Sequence, residues 1–200
     1  GFLGGEWLGP VAPGGGATAA FSPDQIAGLQ LWLKADAITG LSDGSAITTW
    51  TDSSGSGRDA TTNLGTPGFK RMPVVRFPSS GDEQSMLLGS PFLVDDSTII
   101  VCHAKASGAS NVHVLAYGGS YQYLHYGSLW YLVNSSISSV MASGAFYIMT
   151  AVSVDSPRTV VRWSNGNNLG QTTSDRPFGF SMIGLSGLPG PQGDIAEIIV

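Results

Sequence analysis

Residues 28–57 read GLQLWLKADAITGLSDGSAITTWTDSSGSG, and this stretch decides the fold. Over residues 29–34, three leucines alternate with three other residues, among them Trp32, and this period of two is typical of a β-strand. Turn-forming residues then reverse the chain before a second short strand that ends at Trp50. Residues 52–57 contain only Asp, Ser and Gly, which indicates a tight loop. Large apolar groups on both faces of the first strand predict that Trp32, and Trp50 with it, are buried.

The rest of the chain is a succession of short strands. From residue 73 onward, apolar and aromatic segments are separated by Gly, Ser and Asn-Gly turn signals. The one helical signal is a single turn at Ser22-Pro23. Close to a dozen strands with almost no helix predict a β-sandwich or barrel.

Several motifs resemble the concanavalin A-like lectin/glucanase superfamily, in the laminin-G-like branch found in bacterial surface and phage virion proteins. The motifs are GLQLWLKAD at 28–36, TWTDSSGSGRDA at 49–60, PVVRF at 73–77, RWSNG at 162–166 and GDIAEIIV at 193–200. The resemblance implies an all-β, jelly-roll β-sandwich of two antiparallel sheets over residues 21–200. A Gly-rich N-terminal extended arm, residues 1–20, precedes it. Carbohydrate binding is a common role in this superfamily, and calcium at the rim of the sandwich is frequent.

Composition narrows the classes of function. The chain has 200 residues, 42% of them hydrophobic, which suffices for one sizeable core. Only 12% are charged, against about 25% in an ordinary soluble domain. The net charge of −5 comes without any basic cluster, so we expect no nucleic-acid partner. No apolar run reaches the length of a membrane span, so we expect no membrane partner either.

The single cysteine and the first residues of the chain bear on where the protein is found. Cys102 lies in an apolar run and is interpreted as a buried core thiol. The first residues show no charged and apolar signal segment. A surface-type fold without these features predicts a virion protein, extracellular after lysis of the host.

The arm carries four large apolar residues: Phe2, Leu3, Trp7 and Leu8. They either pack back on their own sandwich or dock on a neighbouring subunit, which would make the chain a homo-oligomer or a partner of other virion proteins. The closing strand ends on the apolar Val200, whose end we expect to be unprotected. Docking on a neighbour would answer both features, and the arm is then an assembly arm.

Catalysis is not predicted from the sequence. Retaining glucanases need two carboxylates on one strand face about 5 to 5.5 Å apart. Asp194 and Glu197 are three residues apart and should point to opposite faces of a regular strand. We therefore expect a protein that is not an enzyme and needs no catalytic cofactor.

The sequence offers candidate ligands for two kinds of metal site. His103, His113 and His125 lie on consecutive predicted strands, but no carboxylate or cysteine is spaced to complete a zinc site. Calcium is the better candidate, because loop oxygens suit a hard cation and Asp52, Ser54 and Asp59 offer such oxygens. The alternative is that Asp52 closes an Asx-turn on the backbone amides that follow it.

Residues 116–131 are the candidate carbohydrate site. Aromatic rings stack on the C–H faces of sugars, and amides bind the hydroxyls. The candidates are Tyr117, Tyr121, Gln122, Tyr123, Tyr126, Trp130 and Asn134. The same residues suit a core or a subunit interface, and both interpretations stay open.

Two further expectations concern the orientation of one strand and the role of the whole chain. On the strand over residues 146–154, one face is predicted to be interior, and its members are Phe146, Ile148, Thr150, Val152 and Val154. The whole chain is predicted to be a virion structural or adhesion module, a tail or capsid decoration protein. Two roles stay open for it: the sandwich binds host-surface glycans, or the arm and the faces of the sandwich make protein contacts in the particle. The alternative is a secreted or surface bacterial carbohydrate-binding module with no virion role.

Overall fold

The computed structural model describes residues 21–65, 67–70, 73–77, 84–105, 111–117, 120–126, 129–132, 135–138, 142, 144–154, 158–174, 178–184 and 193–200. Over these ranges the chain forms sixteen β-strands and two single-turn 3-10 helices, Pro23–Gln25 and Ala35–Ala37. In the described part, no helix is long and apolar enough to cross a bilayer.

The strands in chain order are β1 Trp32–Lys34, β2 Thr49–Trp50, β3 Ala60–Leu64, β4 Gly68–Lys70, β5 Val74–Phe77, β6 Ser85–Val94, β7 Ser97–Lys105, β8 Asn111–Tyr117, β9 Ser120–Tyr126, β10 Leu129–Leu132, β11 Ser135–Ser138, β12 Phe146–Val154, β13 Arg158–Ser164, β14 Asn167–Ser174, β15 Phe178–Gly184 and β16 Gly193–Ile199.

The strands form two antiparallel sheets. In the first sheet the order is β14-β13-β12-β7-β16-β5-β4, and β1 also pairs with β16. In the second sheet the order is β11-β10-β9-β8-β15-β6-β3-β2. The predicted all-β sandwich of two antiparallel sheets is confirmed. The predicted arm, residues 1–20, lies outside the described residues.

The decisive stretch contributes one strand to each sheet. β1 joins the first sheet through β16, and β2 joins the second through β3. Leu31 and Leu33 are fully buried in the shared core, and so is Trp50. Trp32 is 7% exposed. The predicted burial of both tryptophans is confirmed, and burying a large apolar side chain stabilises a fold by about 1.5–3 kcal/mol.

The predicted interior face of β12 was wrong. Met149 and Ala151 are fully buried, whereas Ile148 is 52% exposed. The buried pair lies opposite the buried Val101 and Ile99 of β7, and directly paired residues share a face of the sheet. Because β12 is apolar on both faces, its periodicity does not show which face is interior. Its outward apolar residues instead make the outer face of the first sheet unusually apolar.

Cys102 is not in the core. It lies opposite Ile148 on that outer face and is only partly buried. Burial, with a smaller contribution from the negative charge of Glu197, raises the pKa of its thiol. The inward side chain of this part of β7 is His103, which is fully buried.

The end of the closing strand is not unprotected. The N–H of Val200 donates to the carbonyl of Leu31 at 2.9 Å, and the carbonyl of Val200 accepts from the N–H groups of Leu31 and Gln30. Val200 is buried as well. Both its backbone groups and its side chain are therefore satisfied within the sandwich.

The two faces of β12 give a paired test. Met149→Ala should lower the free energy of unfolding by about 2–5 kcal/mol, because it leaves a cavity in the core. Ile148→Ala, at the adjacent position on the outer face, should cost no more than about 1 kcal/mol. Urea denaturation of both variants measures the difference. Equal losses, or a larger loss for Ile148→Ala, would contradict the observed orientation.

Candidate functional site

The described residues of the candidate carbohydrate site lie on three neighbouring strands of the second sheet. β8 pairs with β9, and β9 pairs with β10. Trp130 lies opposite His125, and Tyr123 lies between Leu115 and Leu132. The predicted site residues are distributed as Tyr117 on β8, Tyr121, Gln122, Tyr123 and Tyr126 on β9, and Trp130 on β10. Asn134, the remaining member of the predicted site, lies outside the described residues.

Tyr117 is fixed on the outer face of the second sheet by a glycine. Gly179 lies between two fully buried phenylalanines of β15, so its missing side chain would point outward. A Cβ there would lie 2.5 Å from Cγ of Tyr117 and 2.9 Å from Cδ2 of Leu93. The Tyr117 ring therefore covers Gly179, next to a leucine that is 56% exposed. This places a positioned aromatic ring beside apolar surface on the solvent side of the sheet.

Asp52 is the centre of the loop that follows β2. Its Oδ1 accepts hydrogen bonds from the N–H groups of Trp32 and Ser54, both at 2.9 Å. Its Oδ2 accepts from the Ser54 hydroxyl at 2.8 Å and from the Arg58 N–H at 3.0 Å. The N–H of Ser53 in turn donates to the carbonyl of Trp32 at 2.8 Å. One buried carboxylate thus joins β1 of the first sheet to the loop leaving β2 of the second.

Arg58 and Asp59 hold the C-terminal end of this loop in place. Oδ1 of Asp59 accepts from the N–H of Asp52 at 2.8 Å, and the Asp59 carbonyl accepts from Gly89 of β6. The Arg58 guanidinium donates to the carbonyl of Gln30 and lies 4.4 Å from the centre of the Phe92 ring. The loop is therefore fixed at both ends.

The Asp52 carboxylate is held in its charged form. Burial raises its pKa, but the hydrogen bonds from Trp32, Arg58 and Ser54 outweigh burial and keep the pKa below its ordinary value of 3.8. The bond from Ser54 N–H is the predicted Asx-turn. Since both oxygens of Asp52 already accept two hydrogen bonds, we assign Asp52 a structural role. Calcium binding by Asp52, Ser54 and Asp59 stays a prediction.

The positions of the three histidines decide whether they could share a zinc ion. His103 lies in the first sheet, whereas His113 and His125 lie on adjacent strands of the second. Across the described ranges, no three His, Cys, Asp or Glu residues are grouped as a metal site.

The expected placement of Asp194 and Glu197 on opposite faces was wrong. The pairing of β16 with β7 shifts register between Ile195 and Glu197, so Ala196 is the extra residue of a β-bulge. Ile195 and Ile198 are both fully buried, and both carboxylates lie on the other, outer face. A bulge has no reliable signal in a single sequence, which is why strict alternation gave the wrong answer.

Each of these two carboxylates has a partner that the sequence did not reveal. Asp194 forms a bidentate ion pair with Arg76, which raises the pKa of that guanidinium. Glu197 accepts a hydrogen bond of 2.7 Å from Nε1 of Trp32. The ammonium of Lys34 lies 4.4 Å from the centre of the Trp32 ring. The outer face of β16 therefore carries two fixed carboxylates beside a tryptophan and two cations.

Comparisons with known proteins show the fold alone. No family model and no curated protein matches this sequence. Among solved structures, the chain is similar to Trypanosoma rangeli sialidase, in one case in complex with sialic acid, with a TM-score of 0.52 and 13% and 14% identity. The matches cover 87% of this chain but only 30% of the sialidase chains. The chain thus shares an all-β fold with part of those sialidases and spans less than a third of their length.

The expectation that the chain is not an enzyme was wrong. It rested on the absence of two carboxylates on one strand face, and Asp194 and Glu197 lie on one face. Trypanosoma rangeli sialidase, which this chain resembles in fold, is an enzyme. Neither the fold nor the carboxylate arrangement supports that exclusion.

The Asp52 loop gives a stability prediction with a pH dependence. Asp52→Asn should lower the free energy of unfolding at neutral pH by about 3 kcal/mol, because amide N–H₂ cannot accept the buried hydrogen bonds. The pKa of the native carboxylate is lower when folded than when unfolded, so its contribution is complete above 3.8 and is lost as the pH falls through the folded value. The difference between the two proteins should therefore shrink in acid.

Urea denaturation at neutral and acidic pH measures this difference. Asp36→Asn, at an exposed position in the 3-10 helix Ala35–Ala37, is the matched control and should leave stability nearly unchanged. An Asp52→Asn protein as stable as the native chain at neutral pH would refute the structural role of the carboxylate.

Proposed function

We propose that this chain is a glycan-binding adhesion module with a lectin-like β-sandwich. The observation that supports this most is the meander formed by β8, β9 and β10. It brings the aromatic residues of the candidate carbohydrate site onto three adjacent strands of one sheet. Its described members are Tyr117, Tyr121, Tyr123, Tyr126, Trp130 and Tyr131. The similarity in fold to a sialidase solved with sialic acid is consistent with a carbohydrate ligand.

The chemistry of Tyr117 suits a sugar. The ring is held over Gly179 and flanked by the exposed Leu93, so its position is fixed before a ligand arrives. A preorganised aromatic ring loses little conformational entropy on binding and presents a π-face to sugar C–H groups. Gln122, on the neighbouring strand β9, is the proposed amide partner for the hydroxyls.

A virion is the proposed setting, as a tail or capsid-surface component that meets host glycans after lysis. The support comes from the sequence: a low charge content, a single cysteine and motifs that resemble virion proteins. Other virion proteins or further copies of this chain are the proposed protein partners.

A glycan array followed by titration calorimetry on the best ligand tests the proposal. The native chain should bind at least one class of glycan, and Tyr117→Ala should weaken binding by about tenfold, the effect of losing roughly 1.4 kcal/mol. Phe21→Ala is the matched control, because Phe21 is an exposed aromatic residue elsewhere on the chain. No binding by the native chain, or equal affinity of the Tyr117 and native proteins, would contradict the proposal.

Glycoside hydrolysis is a second candidate, favoured by the β16 bulge. Asp194 and Glu197 lie opposite Ala104 and Cys102, two residues apart on β7. That separation puts their Cα atoms about 6.5–7 Å apart on one face. The carboxyl groups of glycosidases are roughly 5–9.5 Å apart, a range that two carboxylate side chains on one face at this Cα spacing can reach, so an acid and a base or nucleophile could be supplied.

Fluorogenic sialosides and glucosides test this second candidate. If the outer face of β16 is catalytic, release of the fluorophore by the native chain should fall at least about 100-fold in Glu197→Gln, the usual scale for loss of a general acid or base. Asp24→Asn, at an exposed position, is the control. No release by the native chain, or release that survives Glu197→Gln, would exclude a catalytic role for this pair.

A further inference from the structure

An apolar groove of about 380 Å³ lies at one end of the first sheet. Ile100, Val152 and Val154 line its floor from the outer face of β7 and β12. Ile26 and Leu29 line one wall. Val154 is 41% exposed and Ile26 is 38% exposed, so the groove leaves aliphatic surface open to solvent.

The chemistry of the groove does not suit a sugar. Its lining among the described residues contains no aromatic side chain on which a sugar ring could stack, and its lining surface is mostly apolar. Such a surface is stabilised by an apolar side chain that excludes water from it. Its volume is at the lower end for small-molecule sites and suits one or two large side chains.

The chain itself carries apolar residues that need such a surface. Phe2, Leu3, Trp7 and Leu8 lie in the segment before Phe21. Phe21, the first described residue, is followed by the 3-10 helix Pro23–Gln25, and Ile26 at the end of that helix lines the groove. The segment therefore joins the sandwich at the rim of the groove.

The length of the N-terminal segment favours binding to the groove of its own molecule. Leu8 is 13 residues before Phe21, and a stretch of that length spans at most roughly 45 Å. Leu8 can thus reach the groove of its own sandwich. A segment tethered by a short linker meets its site at an effective concentration of about a millimolar, well above that of a second copy in dilute solution.

We propose that residues 1–20 fold back over the outer face of the first sheet and place Trp7 and Leu8 in this groove. The occupant is the chain's own N-terminal segment, and the aliphatic floor formed by Ile100, Val152 and Val154 is its docking surface. This proposal is independent of the proposed glycan site, which lies on the second sheet.

Thiol protection tests the docking. In a full chain with Cys102→Ser, Val154→Cys places a single thiol in the groove, and Leu93→Cys places one on the outer face of the other sheet. Maleimide labelling at position 154 should be about tenfold slower than in the same protein carrying Trp7→Ser and Leu8→Ser, the protection expected if the segment binds with a dissociation constant near 0.1 mM. Labelling at position 93 should not change. Equal rates at position 154 would overturn the proposal, and Ile26→Cys, which also lines the groove, repeats the measurement if Val154→Cys does not fold.

Cross-linking decides whose segment is bound. Leu8→Cys combined with Val154→Cys, in the Cys102→Ser background, should form an intrachain disulfide under mild oxidation, and Leu8→Cys with Leu93→Cys should not. A monomeric cross-linked product supports the proposal. Interchain dimers whose yield rises with protein concentration would overturn it in favour of a second copy, and equal cross-linking to both positions would overturn it as non-specific.

Discussion

The carboxylate of Asp52 is the interaction on which the rest of this structure depends. The decisive stretch places β1 in one sheet and β2 in the other, and only a short loop after β2 returns to meet β1. Asp52 fixes the contact between this loop and β1, because its two oxygens accept four hydrogen bonds, one of them from the backbone of Trp32. A buried charge is costly unless it is fully hydrogen-bonded, and here the bonds come from groups that only the native loop brings together. The carboxylate therefore selects one loop conformation and one alignment of the two sheets.

This alignment separates two surfaces of different chemistry. Once β1 is fixed, it pairs with residues 197–199 of β16. The bulge in β16 turns both Asp194 and Glu197 to the outer face, where Glu197 accepts a hydrogen bond from Trp32. The outer face of the first sheet thus combines fixed charges with an aliphatic groove. The outer face of the second sheet presents Tyr117 over Gly179, on the first strand of the β8–β9–β10 meander. A segment that occupies the first surface would leave the second free for a glycan, so the two proposals are compatible within one molecule.

Much of this fold could be predicted from the residues, for physical reasons that differ between elements. The period of two over residues 29–34 and the Asp-Ser-Gly loop have strong local preferences, and the structure confirms the sandwich, the burial of Trp32 and Trp50, and the Asx-turn of Asp52. β12 was assigned the wrong interior face because apolar residues lie on both of its faces, and only pairing with β7 decides between them. The partners of Asp194 and Glu197 depend on a bulge and on strands more than 100 residues apart in sequence. Long-range pairing of this kind leaves no local pattern.

Amide hydrogen exchange tests the central role of Asp52 most directly. The N–H groups of Trp32, Ser54 and Arg58 all donate to this one carboxylate, although two of them lie in a surface loop. At neutral pH all three should exchange far more slowly than the amide of the exposed residue Gly40, and their protection should decrease together as Asp52 is protonated in acid. Fast exchange at Ser54 and Arg58 at neutral pH, or protection that does not change as the carboxylate titrates, would contradict it.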